Sequence, residues 1–401
     1  MRTLIQNARI FNGRNVSPSS EILIDGDRIA EPDGRSVDET IDATGKTLLP
    51  GLIDAHTHAV GDDLALALAF GVTTELDMFS LPVTHARLRA LAAQRDDVAD
   101  LRSAGLLATP PGGHPLQIAT PEAMAFYGES ADAFKPIRSA DEAEAFVKAR
   151  LDEGADYIKI VIDDGTHSGL DLPVLSPRIA SALAREAHAA NLIAIAHVWT
   201  SADTRMALDA GVDGLAHVFT DLAADDPAMA DLTARIADSG VFVVSTLAYI
   251  EGVTGGGTGR ELVEDDRVEP RLPEHLRTAL AGGDGKVQSE ASANAAAAIA
   301  SLHRARVPIL AGTDATPFGP AHGASMLREL LLLCEAGLTP AESLAAATST
   351  PARHFGLEDR GRIEPGLRAD LVLVEGDPTR DVRDARSIER VWRRGVEKRI
   401  A

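Results

Sequence analysis

Leu48-Leu49-Pro50-Gly51-Leu52-Ile53-Asp54-Ala55-His56-Thr57-His58 is an apolar run that ends in two histidines. A short apolar run of this kind reads as a buried strand of a parallel sheet. Side chains alternate along a strand, so His56 and His58 share a face at its end. Two neutral imidazoles spaced in this way suit zinc or a similar divalent metal. Outward from this stretch the pattern repeats. Leu48–Ala55 is followed by seven more strand candidates: Val72–Met78, Gly105–Ala108, Tyr157–Ile162, Ile193–Ala196, Gly214–Ala216, Val241–Ser245 and Pro308–Gly312. Helical patterns such as Ala140–Glu153, Pro177–Ala190 and Ser201–Ala210 separate most of them. Eight such alternations predict an α/β fold, a (β/α)8 TIM barrel, whose chemistry sits at the C-terminal ends of its strands.

The two ends of the chain read differently. Thr3–Phe11, Glu21–Ile24 and Arg28–Ala30 are strand-like, as are Asp370–Glu375 and Ser387–Arg394. They predict a small β-sandwich domain formed from both termini, residues 1–50 plus 360–401, with the barrel over 51–359. Two stretches break the repeat. Residues 109–139 hold Pro110-Pro111-Gly112-Gly113-His114-Pro115, and residues 250–285 hold a glycine-rich, charged segment. Long loops at a barrel mouth serve as lids or pocket walls; for 250–285 a plain surface insertion is the alternative.

Composition fits this picture. Of 401 residues 45% are hydrophobic and only 4% aromatic, a mix of Ala, Leu, Val and Ile that suits parallel strands wrapped by helices. Acidic residues number 60 and basic residues 39, a net charge of −21. That field disfavours nucleic acid and anionic membrane, and it serves solubility. The single cysteine, Cys334, excludes an intramolecular disulfide and lies in an apolar helical run. The first residues do not read as a signal peptide, and no apolar run approaches the roughly 20 residues needed to span a bilayer. A cytoplasmic enzyme of small-molecule substrates, assembled as a homo-oligomer, is the expectation.

Further chemistry-bearing residues fall at strand ends. Lys159 interrupts the apolar strand Tyr157–Ile162 in a chain with only six lysines. Burial lowers a lysine pKa and frees the amine, which can then react with carbon dioxide to give a carbamate able to bridge two metals. The alternative is an amine that snorkels to the strand end. His197 and His217 each follow a short apolar strand and suggest ligands for a second metal, although a single histidine so placed is more often a hydrogen-bonded core residue. Asp314 closes the eighth strand, where it can orient water and shuttle its proton, or simply cap a helix. Six metal-competent residues at the ends of strands one, four, five, six and eight argue for a site more strongly than any one of them.

This ordered set resembles the amidohydrolase superfamily, most closely its imidazolonepropionase and Xaa-Pro dipeptidase (prolidase) branch. Leu49–His58 is similar to the superfamily's opening motif, and Asn7–Ile10, Ile24–Ile29 and Gly366–Val372 are similar to its terminal sandwich. The resemblance implies a metal-dependent amidohydrolase with two divalent ions, zinc by preference. His56, His58 and Asp314 would bind the buried ion, His197 and His217 the outer one, and N6-carboxylated Lys159 would bridge. It also implies substrate contacts for His114 and His322, with His114 set to meet a developing oxyanion or a substrate carboxylate; a plain turn residue is the alternative for His114. Trp199, where relatives carry smaller residues, reshapes the pocket. Neither His197 nor His217 is followed three residues later by Glu, which disfavours deamination. The expected reaction is hydrolysis of an amide C–N bond, linear as in a dipeptide or N-acyl amino acid, or cyclic, by hydroxide held between the metals with Asp314 as acid and base. Rivals are ester, lactone or organophosphate hydrolysis at the same site, and a non-catalytic barrel scaffold.

Overall fold

The computed structural model of the chain describes residues 1–401 except 121–123, 125–128, 255–258, 283–288, 317–318 and 400–401. The N-terminal strands are β1 (Arg2–Phe11), β2 (Val16–Asp25), β3 (Arg28–Ala30), β4 (Glu39–Asp42) and β5 (Lys46–Pro50). Eight short strands follow: β6 (Leu52–Thr57), β7 (Val72–Asp77), β8 (Asp100–Ser103), β9 (Ile158–Val161), β10 (Ala194–His197), β11 (Gly214–Ala216), β12 (Phe242–Val244) and β13 (Ile309–Leu310). The chain ends with β14 (Leu371–Glu375), β15 (Ile388–Arg393) and β16 (Val396–Arg399).

Both termini share one sheet, in the order β16-β15-β14-β5-β1-β2-β3, with β4 also paired to β1. Two register shifts in β1, between Ile5 and Ala8 and between Ala8 and Ile10, bend it. Its first half pairs with β4 and its second with β5. Ile5, Ile24, Ile41, Leu48, Leu371 and Trp392 then meet in a single core, which a flat sheet would not allow.

The middle strands run parallel in two sheets, β6-β7-β8 and β13-β12-β11-β10-β9. Backbone hydrogen bonds cross both gaps between them. Ala108 N–H donates to Lys159 O (2.8 Å) and Val161 N–H to Ala108 O (2.9 Å). At the other gap, Ala55 N–H donates to Ala311 O (2.9 Å) and His58 N–H to Ala315 O (2.8 Å). Inward residues such as Ile53, Leu76, Tyr157, Ile195, Phe242 and Leu310 form one core, and outward ones pack on the helices in another. Among the described residues no helix is long and apolar enough to cross a membrane.

Two strand expectations need correction. Leu48–Ala55 is not one strand: the chain passes from β5 in the terminal sheet to β6 at Gly51, whose N–H donates to Asp370 O (2.7 Å). A Cβ at Gly51 would lie 2.2 Å from Thr73 Oγ1, so only glycine fits this crossing. The third parallel strand is Asp100–Ser103 rather than Gly105–Ala108, of which only Ala108 makes a bridge, to Ile160. Its polar sequence conceals a strand because Asp100 is paired with arginines from the terminal sheet region.

Candidate metal centre and active site

Local backbone features aim the expected ligands. Ile53 and Ala55 of β6 point into the inner core, so strict alternation would send Thr57 inward next. Instead, Asp54 and Thr57 pair with Glu75 and Asp77, three steps on β6 against two on β7. That one extra residue is a bulge, and it turns His56 and His58 toward the site. On β9 Lys159 alternates with Ile158 and Ile160, which face the helices, and on β10 His197 follows Ile195 with the same inward sense. Asp314 sits past β13 with φ +52° in the left-handed region, an uncommon conformation for a non-glycine residue that collects at functional sites. Beside it, a Cβ at Gly312 would lie 2.9 Å from His56 Cβ, so β13 can approach β6 this closely only with glycine there.

The side chains converge on Asp314. His58 Nε2 lies 3.0 Å and His56 Nε2 3.3 Å from Asp314 Oδ1, and His217 Nε2 lies 3.7 Å from Oδ2. His197 Nδ1 is 3.2 Å from His217 Nε2. Thr246 Oγ1, 2.5 Å from His217 Nδ1, fixes that ring with Nε2 toward the group. Lys159 Nζ is buried in the cavity they line and has no hydrogen-bond partner among the described residues. One donor atom each from His56, His217 and Asp314 gather within 4.8 Å, as do those of His114, Asp163 and His197. Imidazole and carboxylate without thiolate are a donor set for zinc and similar divalent ions.

Burial governs the electrostatics. It brings the Lys159 amine down to about 7, against a partial opposing pull from Asp314. It holds His56, His197 and His217 below the usual imidazole range, in the neutral form that ligates metal. Burial alone would raise Asp314, but His56, His58 and His217 hold its carboxyl well below the ordinary value, so it is ionised.

Of the residues expected to touch substrate, His114 and Trp199 line the cavity with the ligand group. His114 stacks on His197 at 4.9 Å, and Gln117 Nε2 lies 2.8 Å from its Nδ1. The same Nδ1 lies 3.7 Å from Asp163 Oδ2, so this edge of the ring is held by protein groups. Trp199 stacks between His167 (4.5 Å) and His217 (5.1 Å). His322 is placed elsewhere and is absent from the described lining. Its Nδ1 lies 2.8 Å from Glu75 and its Nε2 3.3 Å from Asp63, so the ring joins β7 to the segment after β6 instead of facing a ligand.

Asp163 is the residue that sequence reasoning missed. It follows β9, is buried, and faces three histidines: His167 Nδ1 at 3.3 Å, His197 Nε2 at 3.5 Å and His114 Nδ1 at 3.7 Å. Burial would raise its carboxyl, yet the neighbouring His167 and His197 rings hold it below the usual range. Contact at His197 Nε2 leaves Nδ1 for the metal side. The available signal was periodicity, since Lys159, Val161 and Asp163 share one strand face. Within 250–285, the described helices Leu247–Val253 and Glu274–Ala281 bring Val253 and Ala279 to the cavity wall. The glycine run at 255–258 lies outside the described residues.

The amidohydrolase family profile matches residues 47–398. The chain belongs to this family. It is therefore a metal-binding hydrolase acting on carbon–nitrogen bonds. An imidazolonepropionase of Ruegeria sp. (strain TM1040) is 28% identical over 391 residues, 91% of this chain and 87% of the relative. One from Paracoccus denitrificans (strain Pd 1222) is 45% identical over 80 residues, so that this alignment spans 19% of each protein. The structure of a Xaa-Pro dipeptidase with methionine bound in its active site superposes with a TM-score of 0.75 at 21% identity, covering 100% of both chains. At that identity the likeness concerns the fold. Amidohydrolases of the imidazolonepropionase and prolidase-like branch are thus what this chain resembles.

Proposed function

We propose that this amidohydrolase cleaves an amide C–N bond of a small molecule with two divalent ions, zinc by preference. The observation that carries the reading is a buried, unpartnered amine, Lys159 Nζ, among four imidazoles and the Asp314 carboxylate at the C-terminal ends of parallel strands. In this reading β6–β13 close as one (β/α)8 barrel over residues 51–359, and residues 1–50 plus 360–401 form the sandwich domain. Hydrogen bonds across both gaps between the sheets support the closure.

His56, His58 and Asp314 would hold one ion, His197 and His217 the other, and N6-carboxylated Lys159 would bridge them. Two ions held there supply Lewis acidity at the carbonyl and lower the pKa of water to about 7. The protein does the rest. Asp314, kept ionised by its histidines, takes the proton from the attacking water and returns it to the leaving nitrogen. His114, which lines the cavity beside His197, donates a ring N–H to the oxygen on which charge develops. Trp199 packs His217 and His167 and closes one wall to water.

Elemental analysis of the purified protein is expected to find about two divalent ions per chain, and chelation to remove activity that zinc restores. Asp314→Asn should lower kcat by at least ~1000-fold while the metal content stays above one ion per chain, because proton transfer is lost along with one ligand charge. Full activity in that variant would end the acid–base assignment, and a metal-free active enzyme would end the proposal.

A further inference from the structure

The substrate's own chemistry is legible in the cavity that holds the ligand group. Its volume is about 850 Å3, large enough for a molecule with substituents on both sides of the scissile bond. Phe79, Leu107 and Phe134 line it as buried apolar side chains. Ile118, Leu170 and Val253 also line it, yet these are 59%, 44% and 55% exposed. They are three of the nine large hydrophobic side chains that stand exposed among the described residues, and all three line this one cavity. Apolar side chains left in water around a concave site are those that a ligand covers.

Charge points the same way. Among the described lining residues the only ammonium or guanidinium group is that of Lys159, which is buried at the ligand group. Against the described lining of the outer wall, a substrate carboxylate would lose its water without gaining an ammonium or guanidinium partner, and such a burial is costly. The carboxyl side chain of Asp163 lines the same cavity and offers acceptors to a ligand, not a cation.

We infer that the groups flanking the scissile amide are neutral and apolar: an acyl derivative of an aromatic or branched alkyl amine, without a free carboxylate. The inference rests on the amide-hydrolase reading and narrows it, because dipeptides and N-acyl amino acids fall outside the class.

The test compares N-hexanoyl-4-aminobenzamide with N-hexanoyl-4-aminobenzoate, which share a shape and differ in charge. With the zinc-loaded full chain, kcat/KM read by amine release should be at least roughly 50-fold higher for the benzamide. Binding is read apart from turnover, by calorimetry on Asp314→Asn protein. Preferential binding of the benzamide with no amine released by the active chain would sink the amide reading and leave the neutral class standing. Equal or tighter binding of the benzoate, or no binding of the benzamide, overturns the inference. Leu170→Arg, placed on an exposed residue that can change without unfolding the chain, should move the preference toward the benzoate by roughly 10-fold; an unchanged ratio counts against the inference.

Discussion

Asp163 shows how one buried carboxylate can order several ligands. Its Oδ1 accepts from Gly165 N–H (2.8 Å) and faces His167, and its Oδ2 faces His197 and His114. An ionised acceptor at His197 Nε2 fixes that tautomer and leaves Nδ1 basic toward the metal side. In Asp163→Asn the charge is gone and an amide N–H can meet Nε2. Metal affinity should fall by about 10–100-fold, with a smaller loss at sites outside His197 and His217. Competition with a chromogenic chelator measures it, while the circular dichroism spectrum stays that of the native chain. Unchanged affinity would reduce Asp163 to a packing residue. Sequence reading found His56 and His58 because they end an apolar run, and Lys159 because a cation there is costly. It passed over Asp163 because Ile162-Asp163-Asp164-Gly165 has the composition of a turn, and turn chemistry hid a residue that continues the face of Lys159.

At the level of elements, His322 fastens strands that carry ligands. It precedes the helix Ala324–Glu335, and its ring lies between Glu75 of β7 and Asp63 at the start of the helix Asp63–Ala69. Burial would lower its pKa, but the two carboxylates raise it to about 9 from the ordinary 6.5. The folded state therefore holds this proton more tightly than the unfolded chain does. The resulting stability is fully present below pH 6.5 and is lost as pH rises through about 9. The loss is roughly 3 kcal/mol in order of magnitude. Urea midpoints of the native chain should fall relative to those of His322→Gln between these pH values, by the share that this ring carries. Matching profiles for the two proteins would mean that the ring carries no charge. A histidine after the eighth strand was visible in the sequence, and its expected place was the substrate pocket. The carboxylates that claim it lie on other elements, at distances no spacing rule encodes. β8 escaped for a related reason. Asp100-Leu101-Arg102-Ser103 alternates weakly, and its polar residues are satisfied only by groups from the far end of the chain.

For the whole molecule, those groups join the two parts of the fold. Asp100, at the N-terminal start of β8, pairs through Oδ2 with Arg360 and with Arg368 (3.1 Å) and through Oδ1 with Arg393 (3.2 Å). Arg368 also donates to Asp370 Oδ2 (2.8 Å), next to β14, and Arg393 of β15 donates to Ala92 O (2.8 Å). The terminal sheet is thus pinned to the parallel strands at the end opposite the metal group. Burial alone would raise the carboxyl of Asp100, and the surrounding guanidiniums hold it well below the usual range, so the cluster is fully charged. A buried cluster of this kind gains little over an apolar one, but removing a single partner leaves charge without compensation. Asp100→Asn removes the carboxylate that three almost wholly buried guanidiniums share, while Arg360 keeps Asp359 and Arg368 keeps Asp370, and it should lower the unfolding free energy by roughly 3 kcal/mol. Turnover per folded molecule should be unchanged, because Asp100 and the rest of β8 are absent from the cavity lining among the described residues. Denaturant unfolding and kcat at 25 °C separate these effects. Unaltered stability would mean that water reaches the arginines, and a lower kcat in the fully folded variant would mean that the terminal sheet sets the geometry of the site through β8.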